Sequence, residues 1–141
     1  GGQKRRVAIA GVIAMRPGVL ILDEPTAGLD PEGCRRILSN ICEYREKTGS
    51  TVIIVSHSME DVAKLADRLV VFNGGHIEFD GTPEEVFSHP EELKAIGLAV
   101  PAATELSMAL RRRGIALSPS IYTISRLFEE LNALTGGGAE C

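Results

Sequence analysis

Val19-Leu20-Ile21-Leu22-Asp23-Glu24-Pro25-Thr26 is a short apolar run closed by two carboxylates and a proline. A run of that length, bounded by Pro17-Gly18 before it and Pro25 after it, suits a buried parallel strand better than a helix. Thr51-Val52-Ile53-Ile54-Val55 repeats the pattern with β-branched residues and ends at Ser56-His57. Between the two, Asp30 can cap a helix whose first turn holds Pro31, where the missing N–H is not needed. Cys34, Ile37, Leu38, Ile41, Cys42 and Arg45 then recur at helical spacing, so the two cysteines read as small core residues rather than reactive thiols.

Upstream, Val7 to Met15 is apolar on every side, which predicts a deeply buried helix stopped near Pro17-Gly18. Downstream, Met59 to Ala66 is again helical. Arg68–Phe72 and His76–Phe79 flank Asn73-Gly74-Gly75, whose permissive backbone suits a tight hairpin. Thr82-Pro83-Glu84-Glu85 combines a cap, a first-turn proline and a glutamate three residues after the cap, which marks a helix start. Short helices are expected to about Ser88 and from Pro90 to about Ile96. Longer ones are expected over Pro101–Arg113, closed by Gly114, and from Ile124 to Leu134 with Ile124, Leu127, Phe128, Leu131 and Leu134 on one face. Gly136-Gly137-Gly138 should fray.

Strand, helix, strand, helix and hairpin in that order define an α/β arrangement with a parallel sheet, whose active groups belong at the C-terminal ends of the strands. Asp23, Glu24 and His57 all fall there.

The 141 residues are 44% hydrophobic and 24% charged, ordinary for one globular core. A net charge of -4 provides no general attraction to nucleic acid. The basic clusters Lys4-Arg5-Arg6 and Arg111-Arg112-Arg113 read as solvated helix faces rather than polyanion sites. Cys34, Cys42 and Cys141 are odd in number and without C-x-x-C spacing, which fits a reducing compartment and suggests neither a disulfide framework nor a zinc site. The longest apolar stretch falls short of the ~20 residues of a membrane-spanning helix, and no secretory signal is recognisable.

Two adjacent carboxylates ending a buried strand are costly to desolvate unless a partner or a metal uses them. In a phosphoryl-transfer site Asp23 would hold Mg²⁺ and Glu24 would orient and deprotonate an attacking water. The doublet by itself is equally compatible with a plain strand end bearing solvated acids.

Around that doublet, Gly1-Gly2-Gln3-Lys4-Arg5-Arg6-Val7-Ala8-Ile9-Ala10 stands upstream. Leu20-Ile21-Leu22-Asp23-Glu24-Pro25-Thr26-Ala27-Gly28-Leu29-Asp30-Pro31 stands in the middle, and Ile54-Val55-Ser56-His57 at the second strand end. In order and spacing these resemble the end of the signature sequence, the Walker B strand, the D-loop and the switch histidine of ATP-binding-cassette ATPases. The resemblance implies that Gly1, Gly2 and Gln3 contact the γ-phosphate of ATP bound to an opposite subunit. Glycines permit close approach of backbone N–H groups, and the following helix presents its positive dipole end to the anion. The same resemblance makes Asp23 the magnesium residue, Glu24 the catalytic base, His57 the γ-phosphate sensor, and Ala27 to Asp30 the loop that couples two composite sites across a dimer. ATP and Mg²⁺ are the implied cofactors.

Lys4-Arg5-Arg6 before the Val7–Met15 segment, together with Gly33, resembles the energy-coupling-factor group. Gly97-Leu98-Ala99-Val100-Pro101 leading into Leu106, Leu110, Arg111, Arg113 and Gly114 resembles the helical extension through which those subunits pair. The expected fold is thus a partial P-loop NTPase core with parallel strands and a terminal hairpin, followed by a small helical extension. Residues 1–88 are expected to form the nucleotide-binding portion, 89–135 a helical dimerisation extension, and 136–141 a flexible tail.

The implied function is an ATP-hydrolysing subunit on the cytoplasmic face of a membrane, energising uptake of a vitamin or transition metal. Its partners would be a second ATPase subunit, a transmembrane coupling subunit and a substrate-binding membrane subunit, with no nucleic acid. Two other functions use the same motifs: a soluble cassette ATPase acting on ribosomes or nucleic acid, and a regulatory cassette that does not hydrolyse. The sequence contains no G-x-x-x-x-G-K-[ST] loop, whose amides and lysine supply most of a phosphate cradle. The chain opens inside a motif, so it is expected to be the C-terminal part of a longer subunit and inactive alone.

Overall fold

In the computed structural model, residues 2–134 are described; Gly1 and residues 135–141, which include the glycine run and the whole expected tail, lie outside them. The chain forms two compact units, the first ending at His57 and the second starting at Ser58.

The first unit is built in the expected order: α1 (Gly2–Ala14), β1 (Val19–Asp23), α2 (Pro31–Thr48) and β2 (Thr51–Val55). β1 and β2 pair in parallel, from Val19 opposite Thr51 to Asp23 opposite Val55. α2 starts where the sequence places it. Asp30 accepts a hydrogen bond from the Gly33 N–H, Pro31 fills the first turn, and the helix closes at Gly49, whose N–H reaches the Arg45 carbonyl. Its inner face sets Ile37, Ile41 and Tyr44 against Leu20 and Leu22 of β1, with Ile9, Ile13, Leu29, Val52 and Ile54 packed around them. The Tyr44 hydroxyl donates to the Pro17 carbonyl at 2.7 Å, tying the end of α2 to the turn before β1.

Burial departs from expectation in three places. The strands are not covered on both faces: Leu20 and Leu22 are buried, whereas Val19, Ile21 (65% exposed), Ile53 and Val55 face outward. Parallel strands become wholly buried only when helices cover both faces, and the helices that pack on this pair do so through the face bearing Leu20 and Leu22. For the same reason α1 is not a deeply buried helix. Ile9 and Ile13 join the core, but Val7, Val12 and Met15 (73% exposed) do not. Cys34 and Cys42 are half-buried rather than fully in the core.

The second unit comprises α3 (Met59–Leu65), the antiparallel hairpin β3 (Leu69–Asn73) and β4 (His76–Gly81), α4 (Pro83–Phe87), α5 (Pro90–Ala95), α6 (Ala102–Arg112) and α7 (Ile124–Leu134). Gly74 and Gly75 form the hairpin turn with φ of 56° and 84°, values that side-chain-bearing residues adopt at a cost. Arg68 spans the strand ends with two 2.7 Å hydrogen bonds to the Asp80 carboxylate, which hold that carboxyl below the usual range. The helix start at Thr82 is a full capping box: the Glu85 N–H donates to Thr82 Oγ1, and the Thr82 N–H to Glu85 Oε2 at 2.7 Å.

Two apolar clusters result. One gathers Ala63, Val86, Phe87, Leu93 and Val100, the other Ala103, Leu117, Ile121 and Leu127. On α7 only Leu127 is buried and Leu131 packs beside it, so the expected apolar stripe is only partly used: Ile124, Phe128 (64% exposed) and Leu134 stay outside. No helix among the described residues is long and apolar enough to cross a membrane.

Candidate active site

The parallel pairing places the C-terminal ends of β1 and β2 side by side, with Asp23 opposite Val55. One residue further, the Glu24 N–H donates to the Val55 carbonyl at 2.8 Å, extending the ladder past the last strand residue. The chain then turns sharply. Glu24 has φ 46°, a left-handed conformation that costs a residue with a side chain about 1–2 kcal/mol.

That turn aims the Glu24 carboxylate at the end of β2. Oε1 accepts a hydrogen bond from the His57 N–H at 3.0 Å and lies 2.8 Å from His57 Nδ1. The histidine side chain is 83% exposed and the glutamate 28%, so the pair is open to solvent on the imidazole side. A carboxylate held by a backbone N–H and an imidazole nitrogen is fixed in direction. The same carboxylate can take a proton from a water and share its charge with the ring.

Asp23, the last residue of β1, is exposed beside this pair. The energetic premise read from the sequence is therefore corrected: within this unit the acidic doublet is not desolvated, because the strand face that carries Asp23 is open. What distinguishes the doublet is the direction of Glu24, not the burial of the two charges. A single exposed carboxylate at a strand end is a suitable hard-oxygen ligand for Mg²⁺, which characteristically binds one or two carboxylates and takes its remaining ligands from phosphate and water. Among the described residues no group of three or more potential ligands is gathered to hold a metal ion.

Asp30 is engaged locally, its Oδ1 accepting from the Gly33 N–H at 3.2 Å as the cap of α2. Gly2 and Gln3 open α1, with Gln3 exposed; Gly1 lies outside the described residues. Of the sequence-derived candidates, then, Glu24 and His57 are in direct contact, Asp23 adjoins them in the chain, and Asp30 ends the same loop in a contact of its own.

Two features of that loop were not foreseen. Arg5 Nη1 on α1 donates to the Ala27 carbonyl. From α2, the Cys34 thiol lies 3.6 Å from the Thr26 carbonyl and 3.8 Å from that of Leu29. The Lys4-Arg5-Arg6 run reads as a solvated face because charge alone does not reveal that Arg5 reaches the backbone of a loop 22 positions away. The left-handed conformation of Glu24 likewise leaves no mark in residue type.

Residues 2–61 match a family model described as "AAA domain, putative AbiEii toxin, Type IV TA system". The chain is 60% identical over 131 residues to the energy-coupling factor transporter ATP-binding protein EcfA2 of Clostridium perfringens (strain 13 / Type A), covering 93% of this chain and 46% of that protein. It is 54% identical over 131 residues to the EcfA2 of Caldanaerobacter subterraneus subsp. tengcongensis, with the same two coverages. Among solved structures, that of cbiO1 from Clostridium perfringens, described as part of the ABC transporter complex cbiONQ, matches with a TM-score of 0.58 and 40% identity, over 78% of this chain and 43% of that one.

The chain's α/β fold matches that of the ABC-transporter component cbiO1, and its sequence is similar to ATP-binding subunits of ABC transporters. Within that class the chain is a relative of the energy-coupling-factor transporter ATP-binding proteins, and it spans about half the length of the curated relatives it matches.

Proposed function

We propose that this chain supplies the hydrolytic strand ends of an ATPase subunit that energises an energy-coupling-factor importer. The observation that carries the proposal is the 2.8 Å contact between Glu24 Oε1 and His57 Nδ1 at the mouths of two parallel strands. Glu24 acts as the base: its carboxylate is already directed by the His57 N–H, so it can orient a water and accept its proton. His57, largely exposed, would be the sensor of a terminal phosphate. Asp23 would hold Mg²⁺, which would supply charge neutralisation on the phosphates of ATP. Gly1, which lies outside the described residues, Gly2 and Gln3 would contact the phosphate of nucleotide on an opposing subunit, and Asp30 ends the loop that would couple the two sites.

The partners in this reading are a second ATPase subunit, a transmembrane coupling subunit and a substrate-binding membrane subunit, with the ATPase on the cytoplasmic face of the membrane. The solute is a vitamin or a transition metal. The division at residues 88 and 89 belongs to the same reading. Residues 89–135 form a pairing extension, supported by the apolar residues Ile124, Phe128 and Leu134 that α7 leaves uncovered.

The test is Glu24→Gln in the full-length subunit. The substitution keeps the shape and an acceptor for the His57 N–H but cannot take a proton at neutral pH. ATP binding should persist while turnover falls by about 100-fold or more, the scale of a lost general base. Unchanged turnover would exclude Glu24 from that role.

A further inference from the structure

We propose that Arg5 is a positioning residue, a brace from α1 that sets the shape of the loop between Glu24 and Asp30. The inference rests on the ATPase reading for its functional consequence, but the brace itself is a statement about this chain.

The loop is fixed at both ends. It leaves β1 through the left-handed Glu24 and enters α2 through the cap at Asp30. Between them it is a pair of tight turns, with the Ala27 N–H bonded to the Glu24 carbonyl at 3.1 Å, the Leu29 N–H to the Thr26 carbonyl at 3.2 Å, and Gly28 at φ 72°. Turns of this kind have few contacts of their own and shift readily unless something outside them holds a carbonyl in place.

Side chains from α1 and α2 do so from outside. The Cys34 thiol reaches the Thr26 and Leu29 carbonyls at 3.6 and 3.8 Å, and a thiol is a weak donor. Arg5 binds the Ala27 carbonyl at the centre of the loop with a charged donor. Charge-assisted hydrogen bonds are roughly twice as strong as neutral ones. Arg5 is also half-buried, whereas Gln3 and Lys4 beside it are exposed, so its side chain lies along the protein rather than in solvent. Its planar guanidinium loses less freedom per bond formed than a lysine would.

The placement has a consequence for chemistry. Arg5 stands on the helix opened by Gly2 and Gln3, and it grips the loop that starts at Glu24 and ends at Asp30. The Arg5 hydrogen bond therefore ties the helix opened by Gly2 and Gln3 to the turn that aims the base. Arg5 touches neither nucleotide nor water in this role; it acts through the backbone at Ala27.

The experiment compares Arg5→Ala, Arg5→Met and Arg5→Lys. Met keeps the aliphatic stem without a donor, and Lys restores a single charged donor. In the 141-residue chain, amide exchange at Ala27 and Leu29 should rise roughly tenfold or more in the Ala and Met variants and return towards the parent rate in Lys, the scale expected for losing one charged hydrogen bond. In the full-length subunit, kcat should fall by about tenfold for Ala and Met with KM for ATP within about twofold, and Lys should recover most of the loss. Parent-like exchange at both amides in Arg5→Met overturns the brace. Raised exchange with parent-like kcat overturns its role in positioning the base. Glu24→Gln in parallel separates the two readings: if its turnover is unchanged the ATPase reading falls, while the exchange rates still decide the brace.

Discussion

A Cβ added at Gly33 would lie 2.6 Å from Asp30 Oδ1 and 3.4 Å from Leu29 Cβ. The first distance is well inside van der Waals contact, and the atom it meets is the acceptor that caps α2. Gly33→Ala should therefore push the Asp30 carboxylate out of its bond to the residue-33 N–H. Loss of an N-cap costs about 1 kcal/mol. Alanine in a helix is favoured over glycine by about 0.8–1.0 kcal/mol. The two effects are of similar size and opposite sign, so the single substitution should change the stability of the first unit by less than about 0.5 kcal/mol.

The informative quantity is the coupling. In an Asp30→Ala background the cap is already gone and no oxygen obstructs the new methyl group. There Gly33→Ala should stabilise by close to the full propensity difference, leaving an interaction energy near 1 kcal/mol between the two sites. The chain contains two tyrosines and no tryptophan. A Tyr122→Phe background therefore leaves Tyr44, buried in the core of the first unit, as the fluorescent reporter of its urea unfolding. With a slope of about 1 kcal/mol per molar urea, the coupling appears as a difference of about 1 M between the midpoint shifts in the two backgrounds. Equal shifts in both would show that Asp30 does not cap the helix through this close approach, and would leave Asp30 free for another role.

The capping box of α4 makes stability of the second unit depend on pH. The Glu85 carboxyl is held below its ordinary value, first by the Thr82 N–H and then by the Thr82 hydroxyl. Its contribution is therefore complete above about pH 4.5, the unfolded value, and is lost as pH falls through the lowered folded one. Thermal unfolding of the second unit from pH 6 to pH 3 should fall more steeply in the parent than in Glu85→Gln, and parallel curves would contradict the assignment. Thr82→Ala should cost about 1 kcal/mol at neutral pH in the same assay. We also expect the 141-residue chain, which contains no G-x-x-x-x-G-K-[ST] loop, to lack micromolar affinity for ATP; calorimetric titration showing such affinity would refute this.

What the sequence disclosed and what it withheld divide along a physical line. Local chemistry was legible. Asp30 before Pro31 caps α2, Thr82 and Glu85 close a capping box, and Gly74-Gly75 turns a hairpin, because each device is complete within a few residues of chain. The two strands were legible as well, because short apolar runs bounded by turn residues suit strands better than helices, and the strand–helix–strand order predicts a parallel pair. Burial was not, since it depends on what else packs nearby. The uniformly apolar faces of α1, β1 and β2 read as buried on all sides, and each has one covered face and one open one. The contacts that shape the candidate site were withheld too. Glu24 meets His57 across 33 positions, and Arg5 meets the Ala27 carbonyl across 22.

The same contrast bears on function. A glutamate after a strand and a histidine after another are each common, and spacing along the chain cannot bring them together. Parallel pairing in register can, because it sets the two strand ends side by side and leaves the left-handed turn at Glu24 to direct its carboxylate across the gap. The turn costs energy that a glycine at position 24 would not incur. Its retention of a side chain there is understandable if the carboxylate is needed where the turn points it. Glu24→Gly should accordingly relieve the backbone and remove the His57 contact, leaving the stability of the first unit within about 1 kcal/mol of the parent while abolishing turnover in the full-length subunit. If the variant instead unfolds the first unit, the Glu24–His57 contact is a structural clasp, and the case for Glu24 as the base loses the geometry on which it stands.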